Sequence, residues 1–204
     1  DTWATSAPMI TAREYVATAG TQDAGLAFSG DPPNRALTEE YNGSGWSESG
    51  DLNTARREAT GAGTQTAGIC IGGLVSPSTY KAICETYDGS TWTNANNMNN
   101  SKGGMGSGGT QTDAMGAGGG IGAPGAATDQ TELYDGTSWI TQASMATARG
   151  QTGGGGTSTS AIVYGGAPPP SGGTAATEES TPPDIATTTL VSFFGLLIPR
   201  EFII

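Results

Sequence analysis

Four tryptophans set the frame of the chain. Trp3, Trp46, Trp92 and Trp139 stand 43, 46 and 47 residues apart, and the same companions recur around each. Six residues after the Trp comes Met9, Leu52, Met98 or Met145, and ten after it comes Arg13, Arg56, Lys102 or Arg149. Seventeen after it, Gly20, Gly63, Gly109 or Gly156 opens a G-T-Q or G-T-S turn; at twenty-seven stands Gly30, Gly73, Gly119 or Gly166. Glu39 with Tyr41, Glu85 with Tyr87 and Glu132 with Tyr134 precede the next Trp by seven and five residues. A period in the forties restricts a chain to a propeller, a solenoid or a helical array.

Local patterns choose among these. With 34 Gly in 204 residues and only 13% charged residues, the composition suits closely layered β-structure and disfavours long helices. Segments such as Glu14–Ala19 and Ala24–Ser29 flank each Gly-containing turn and predict a β-hairpin. In the second strand of each hairpin, Leu26 and Phe28, Ile69 and Ile71, Met115 and Ala117, and Ile162 and Tyr164 alternate with Ala27, Cys70, Gly116 and Val163. Both faces are apolar, as expected of a strand covered on two sides by neighbouring sheets. The first strand shrinks to GGMGSGG at 103–109 and GQTGGGG at 150–156, which places it where backbones crowd at a ring centre. After the Gly pair the chain varies: DPPNRAL at 31–37, LVSPSTYKAI at 74–83, GIGAPGAATDQ at 120–130 and APPPSGGTAAT at 167–177, all predicted as loops. A third strand around Glu-x-Tyr, a turn at Asn42-Gly43, Asp88-Gly89 or Asp135-Gly136, and a fourth strand bearing the Trp complete the unit. The predicted fold is all-β: a propeller of about four four-stranded antiparallel blades over 1–189, either a closed four-blade ring or part of a larger one, followed by an apolar segment at 190–204.

A Gly-Gly ending a strand, a variable loop, a spaced Tyr and Trp, then an apolar residue and an Arg resemble the kelch repeat of β-propellers over residues 3 to about 180. The wording TEEYNGSGW, DLNTAR and GAGTQTAG is similar to the Gly- and Thr-rich kelch-like repeats of marine bacteriophage structural proteins. Kelch propellers commonly have more blades than the four units visible here. The fourth unit also departs from the pattern, keeping Glu178 but carrying Ser180 where Tyr is expected. Ile185–Phe193 alternates enough to serve as a closing strand, with Trp3 beside it so that both termini complete one blade. A part-ring completed by another chain is the competing arrangement.

Charge and missing residue types exclude several functions. A net charge of −11 with 8 Lys plus Arg offers no basic stripe to a phosphate backbone, so nucleic acid is not expected as a partner. The apolar run at 190–199 falls short of a membrane span, so no insertion is expected. Histidine is absent, which removes Ser–His and Cys–His nucleophiles and His-ligated zinc. Copper oxidases built on kelch propellers use His and Tyr ligands, and that activity is not carried over. The string TYDGSTW at 86–92 resembles the Asp-box of sialidases without its spacer, and reads equally as a hairpin turn. Cys70 and Cys84 lie on strands expected to be antiparallel neighbours, and both a cross-strand disulfide and two reduced thiols are open.

No catalytic, cofactor-binding or metal-binding residue is assigned, and no cofactor is expected. Trp3, Trp46, Trp92 and Trp139 are expected to pack between blades, with Trp46, Trp92 and Trp139 largely buried. Arg13, Arg56, Lys102 and Arg149 are expected to bond strand-end carbonyls or a neighbouring Glu. Candidate recognition residues lie in the variable loops: Asp31, Asn34, Arg35, Ser78, Tyr80, Lys81, Asp129 and Gln130. The expected function is a non-enzymatic structural and recognition module of a virion appendage or other extracellular surface assembly, whose loops contact a cell-surface glycan or protein. The alternatives are a purely architectural fibre or capsid-decoration subunit, and a sialidase-like glycoside hydrolase. Residues 190–204 are expected to hold an oligomer together.

Overall fold

The computed structural model describes residues 2–33, 35–75, 77–122, 126–170 and 172–181. Asn34, the expected closing strand at 185–193 and the expected assembly segment at 190–204 lie outside the described residues. Blade 1 comprises β1 (Ala17–Gly20), β2 (Gly25–Phe28), β3 (Thr38–Tyr41) and β4 (Trp46–Ser49). Blade 2 comprises β5 (Thr60–Thr64), β6 (Ala67–Ile71), β9 (Cys84–Tyr87) and β10 (Trp92–Ala95), with an extra hairpin of β7 (Leu74–Val75) and β8 (Thr79–Tyr80). Blade 3 comprises β11 (Gly106–Thr110), β12 (Asp113–Ala117), β13 (Thr131–Tyr134) and β14 (Trp139–Gln142); blade 4 shows β15 (Gly153–Gly156), β16 (Ala161–Tyr164) and β17 (Thr177–Glu179). Each sheet is an antiparallel meander in chain order, and the four stand round a common channel as a four-blade β-propeller. The segment 74–83 is not the free loop expected from its sequence. Leu74 is buried and its backbone pairs with Arg57, which anchors the β7–β8 hairpin.

The outer hairpin of a blade follows from its turn chemistry. Asp88 Oδ1 accepts the N–H groups of Ser90 (2.9 Å) and Thr91 (2.8 Å), and Asp135 Oδ1 accepts those of Thr137 (2.8 Å) and Ser138 (2.7 Å). Asn42 does the same for Ser44 and Gly45, so turn formation accounts for this asparagine. The turn sets the register, and the register places Tyr directly opposite Trp in Tyr41–Trp46, Tyr87–Trp92 and Tyr134–Trp139. Their rings lie 5.1, 5.0 and 5.1 Å apart, within the range of favourable aromatic pairs.

Blades 1 to 3 join in one repeated way. The bulky residues of the second strand face the following blade, whose Tyr and Trp cover them: Phe28 meets Trp92 at 4.8 Å. The Trp92 indole N–H donates to Thr38 Oγ1 (2.9 Å), the Tyr87 hydroxyl to Glu40 (2.6 Å), and the Trp139 indole N–H to the Asn96 carbonyl (3.0 Å). Gln65 and Gln111 staple the other end by donating to carbonyls of the preceding blade. At the centre, a Cβ on Gly61 would lie 2.4 Å from the Thr18 carbonyl oxygen, and one on Gly154 would lie 2.6 Å from the Ser107 nitrogen. Glycine is therefore required there by close approach of inner strands. β1, β5, β11 and β15 follow one another round the channel, but β15 has no packing on β1 comparable to the other three contacts. A seam is left. Trp92 and Trp139 are buried between blades as expected, whereas Trp46 is only half-buried and Trp3 is fully exposed, neither being covered by another blade among the described residues.

Each blade is locked by an ion pair from the preceding connector, buried in blades 1 to 3 and partly exposed at Glu178 in blade 4. Arg13 bonds Glu39 (2.7 Å), Arg56 bonds Glu85, Lys102 lies 3.5 Å from Glu132, and Arg149 bonds Glu178 (2.9 Å). Buried charges persist when paired and hydrogen-bonded. Glu85 also accepts the N–H groups of Asn53 (2.6 Å) and Thr54 (3.3 Å), and Lys102 donates to the carbonyls of Gln130 (3.0 Å) and Gly116 (3.3 Å). Burial lowers the Lys102 pKa, with Glu132 opposing the shift. In blade 2 the second guanidinium nitrogen of Arg56 meets Cys70 Sγ at 2.9 Å. The disulfide left open by the sequence is not formed: Cys70 is opposite Glu85 and Cys84 opposite Ile71. Consecutive partners point to opposite faces, so the thiols occupy different interblade cores.

Candidate functional site

The recurring frame is interrupted at one level, twelve residues after each Trp, where the inner strand begins. Tyr15, Glu58, Gly104 and Gln151 occupy this level and all adopt the left-handed conformation, with φ of 55°, 53°, 61° and 55°. Blade 3 uses glycine, which takes this conformation without penalty. Blades 1, 2 and 4 place a Tyr, a Glu and a Gln there at a cost of about 1 kcal/mol or more each. Strain of this kind points towards a task for the side chain. All four residues line one mouth of the central channel, which has a volume of about 740 Å³ and walls made largely of inner-strand backbone.

The variable loops reach the same mouth, because the residue after each strand-end glycine bridges to the connector entering the inner strand: Glu14 with Asp31, Arg57 with Leu74, Gly150 with Ala167. Glu58 is the hub. It accepts hydrogen bonds from the Tyr80 hydroxyl (3.1 Å) and the Gln151 side-chain amide (2.7 Å), and it lies 3.7 Å from Arg57 Nε. Arg57 in turn bonds Asp31 at 3.2 Å. Blades 1, 2 and 4 thus contribute to a single polar chain from Asp31 through Arg57 and Glu58 to Tyr80 and Gln151. Burial and the neighbouring Glu58 carboxylate push the Tyr80 phenol up to about 12, so it stays a hydrogen-bond donor at neutral pH. Tyr15 stands half-exposed at the same rim.

Of the loop residues expected to recognise a ligand, the structure links Asp31 and Tyr80 through Arg57 and Glu58. Ser78 and Lys81 are exposed beside the β7–β8 hairpin, and Lys81 donates its backbone N–H to Gly73. Arg35 serves as a backbone bridge to Arg56. The carbonyls of Asp129 and Gln130 accept from the Met145 N–H and the Lys102 ammonium, so this pair supports blade 3. Tyr15, Arg57, Glu58 and Gln151 were missed by the sequence reading. The available signal was divergence at a fixed position of a conserved frame: Tyr, Glu, Gly, Gln. Among the described residues no group of three or more His, Cys, Asp or Glu is placed to hold a metal ion, and no helix is long and apolar enough to cross a membrane.

Fold and site together define the class: a β-propeller with a polar channel mouth. No protein-family model and no curated protein sequence matches the chain. Among solved structures the fold is similar to that of YjhT, with a TM-score of 0.63 and 12% sequence identity, over 74% of this chain. The match spans 50% of YjhT. At that identity the likeness establishes the fold alone.

Proposed function

We propose that this chain is a non-enzymatic recognition module of an extracellular surface assembly, in the first place a virion appendage, whose channel mouth contacts a cell-surface glycan or protein. One observation carries the reading: Tyr15, Glu58 and Gln151 line one mouth on left-handed backbone, and Arg57, Asp31 and Tyr80 are tied to them through Glu58. Carboxylate, amide, guanidinium and phenol groups match the hydroxyls of a sugar, and half-exposed tyrosine rings supply faces on which a pyranose stacks. Rigid scaffolds commonly display recognition residues on loops in this way. The resemblance of the repeats to kelch-like repeats of marine bacteriophage structural proteins supports the placement on a virion. A purely architectural subunit is the second reading, favoured by how much of the sequence serves blade packing. The test is a glycan array probed with the labelled chain, followed by the Asp31→Ala/Tyr80→Ala variant on any glycan that binds. Recognition at the mouth predicts that affinity falls by about tenfold or more, the loss of about 1.4 kcal/mol of binding energy. An array with no bound glycan and no cell attachment supports the architectural reading, and turnover of a sialoside would turn the assignment towards hydrolysis.

A further inference from the structure

At the outer rim the repeats act as controls on one another, because the third-strand tyrosine of each blade meets a fixed set of positions. Three residues after the Trp stands Ser6, Ser49 or Ala95. The Tyr41 hydroxyl meets Ser6, and the Tyr87 hydroxyl meets Ser49 and donates to Glu40 at 2.6 Å. In the joint between blades 2 and 3 the register puts Ala95 in the place of Ser49 and Thr86 in the place of Glu40. Tyr134 is 4% exposed, yet its hydroxyl has no hydrogen-bond partner among the described residues. A buried phenol ordinarily finds one.

The same joint is wider at its outer edge. A Cβ on Gly50 would lie 2.1 Å from the Ser90 carbonyl oxygen, so the backbones of blades 1 and 2 touch there. By register the counterparts of Gly50 and Ser90 are Asn96 and Thr137. Here a side chain spans the gap, the Asn96 amide donating to the Thr137 carbonyl at 2.6 Å. Between the two blades lies a groove of about 370 Å³, within the range of small-molecule sites, into which Thr86, Asn94, Asn96, Tyr134 and Thr137 project among others. Its lining consists of described residues of two complete four-stranded blades, and none of them lines the central channel.

The chemistry of the groove is uniform. Amides, hydroxyls and one phenol line it, with neither a carboxylate nor a cation. At the joint before, Glu40 and Glu48 hold the positions of Thr86 and Asn94. Side chains that both donate and accept match alcohol hydroxyls, which do the same. A phosphate, sulfate or carboxylate would find no cation there, in a chain of net charge −11.

We propose that the groove between blades 2 and 3 binds one neutral sugar residue, with a sugar hydroxyl on the Tyr134 phenol and others on the Asn94 and Asn96 side chains. The site is distinct from the channel mouth and does not depend on what the mouth binds.

Nitrogen–proton correlation NMR of the labelled chain tests the proposal. The probes are the methyl glycosides of glucose, galactose, mannose and N-acetylglucosamine at up to about 50 mM, which reaches millimolar dissociation constants, with a methyl sialoside as the charged control. At least one neutral glycoside is expected to shift the side-chain amide signals of Asn94 and Asn96. Thr86→Glu/Ala95→Ser gives Tyr134 the partners that Tyr87 has, and is expected to keep the spectrum of the folded chain while weakening binding by about tenfold or more. Tyr134→Phe removes only the hydroxyl and is expected to weaken binding severalfold. The proposal is overturned if no neutral glycoside moves these signals, if the sialoside moves them as strongly, or if either variant binds as the unaltered chain does. Shifts are read residue by residue, so sugar at the channel mouth, seen at the Gln151 side-chain amide, is scored separately.

Discussion

At the scale of single residues the buried cation–Glu pairs are where losing one partner costs most. Arg56→Met leaves Glu85 charged, buried and without its guanidinium, so the variant is expected to lose about 3–5 kcal/mol in urea unfolding. Adding Glu85→Leu should restore much of that loss, because the cost comes from the orphaned charge. Tyr87 links stability to alkaline pH. Burial and its hydrogen bond to Glu40 push the phenol up to about 12, above the value of about 10 for an unfolded tyrosine. The folded state then binds the proton more tightly than the unfolded one, so this contribution is complete below about pH 10 and is lost as pH rises towards 12. Unfolding midpoints measured at successive pH values across that window should fall, and in Tyr87→Phe the fall should be smaller. The ion pairs were legible in the sequence because each Arg or Lys and each Glu recurs in fixed register. The conformation of Tyr15, Glu58 and Gln151 was not, because nothing in those residue types signals a left-handed backbone.

At the scale of the element, turns and inner strands were readable and loops were not. Asn-Gly and Asp-Gly fixed the outer hairpins, and glycine runs located the inner strands where Gly61 and Gly154 approach neighbouring backbones. Such signals are local, so one unit suffices to read them. Segment 74–83 read as loop by its Pro and Ser content, yet Leu74 is buried and pairs with Arg57, so that a separate two-stranded hairpin is anchored on the connector entering blade 2. Tertiary packing decided that case. Cys70 and Cys84 lie on strands that pair antiparallel as expected, but they sit one residue out of register, and one residue reverses the face. Burial raises their thiols to about 11 and about 12, so both should resist alkylation in the folded chain and react on unfolding.

At the scale of the whole molecule, the chain separates what holds the blades together from what distinguishes them. The shared Trp, Tyr, Glu, Arg or Lys and Gly positions build two like joints, between blades 1 and 2 and between blades 2 and 3. The differing residues collect at a channel mouth, where every blade adopts the same left-handed conformation and Gly104 shows that it needs no side chain there. If those side chains serve recognition, replacing them with glycine should cost the fold nothing. The most direct measurement is therefore the unfolding free energy of Glu58→Gly/Gln151→Gly by urea titration. The account predicts no loss, and a gain of up to about 1 kcal/mol per site as the left-handed strain is relieved. A loss of about 1 kcal/mol or more would show that Glu58 and Gln151 are there to hold the blades, and would contradict a mouth built for a ligand.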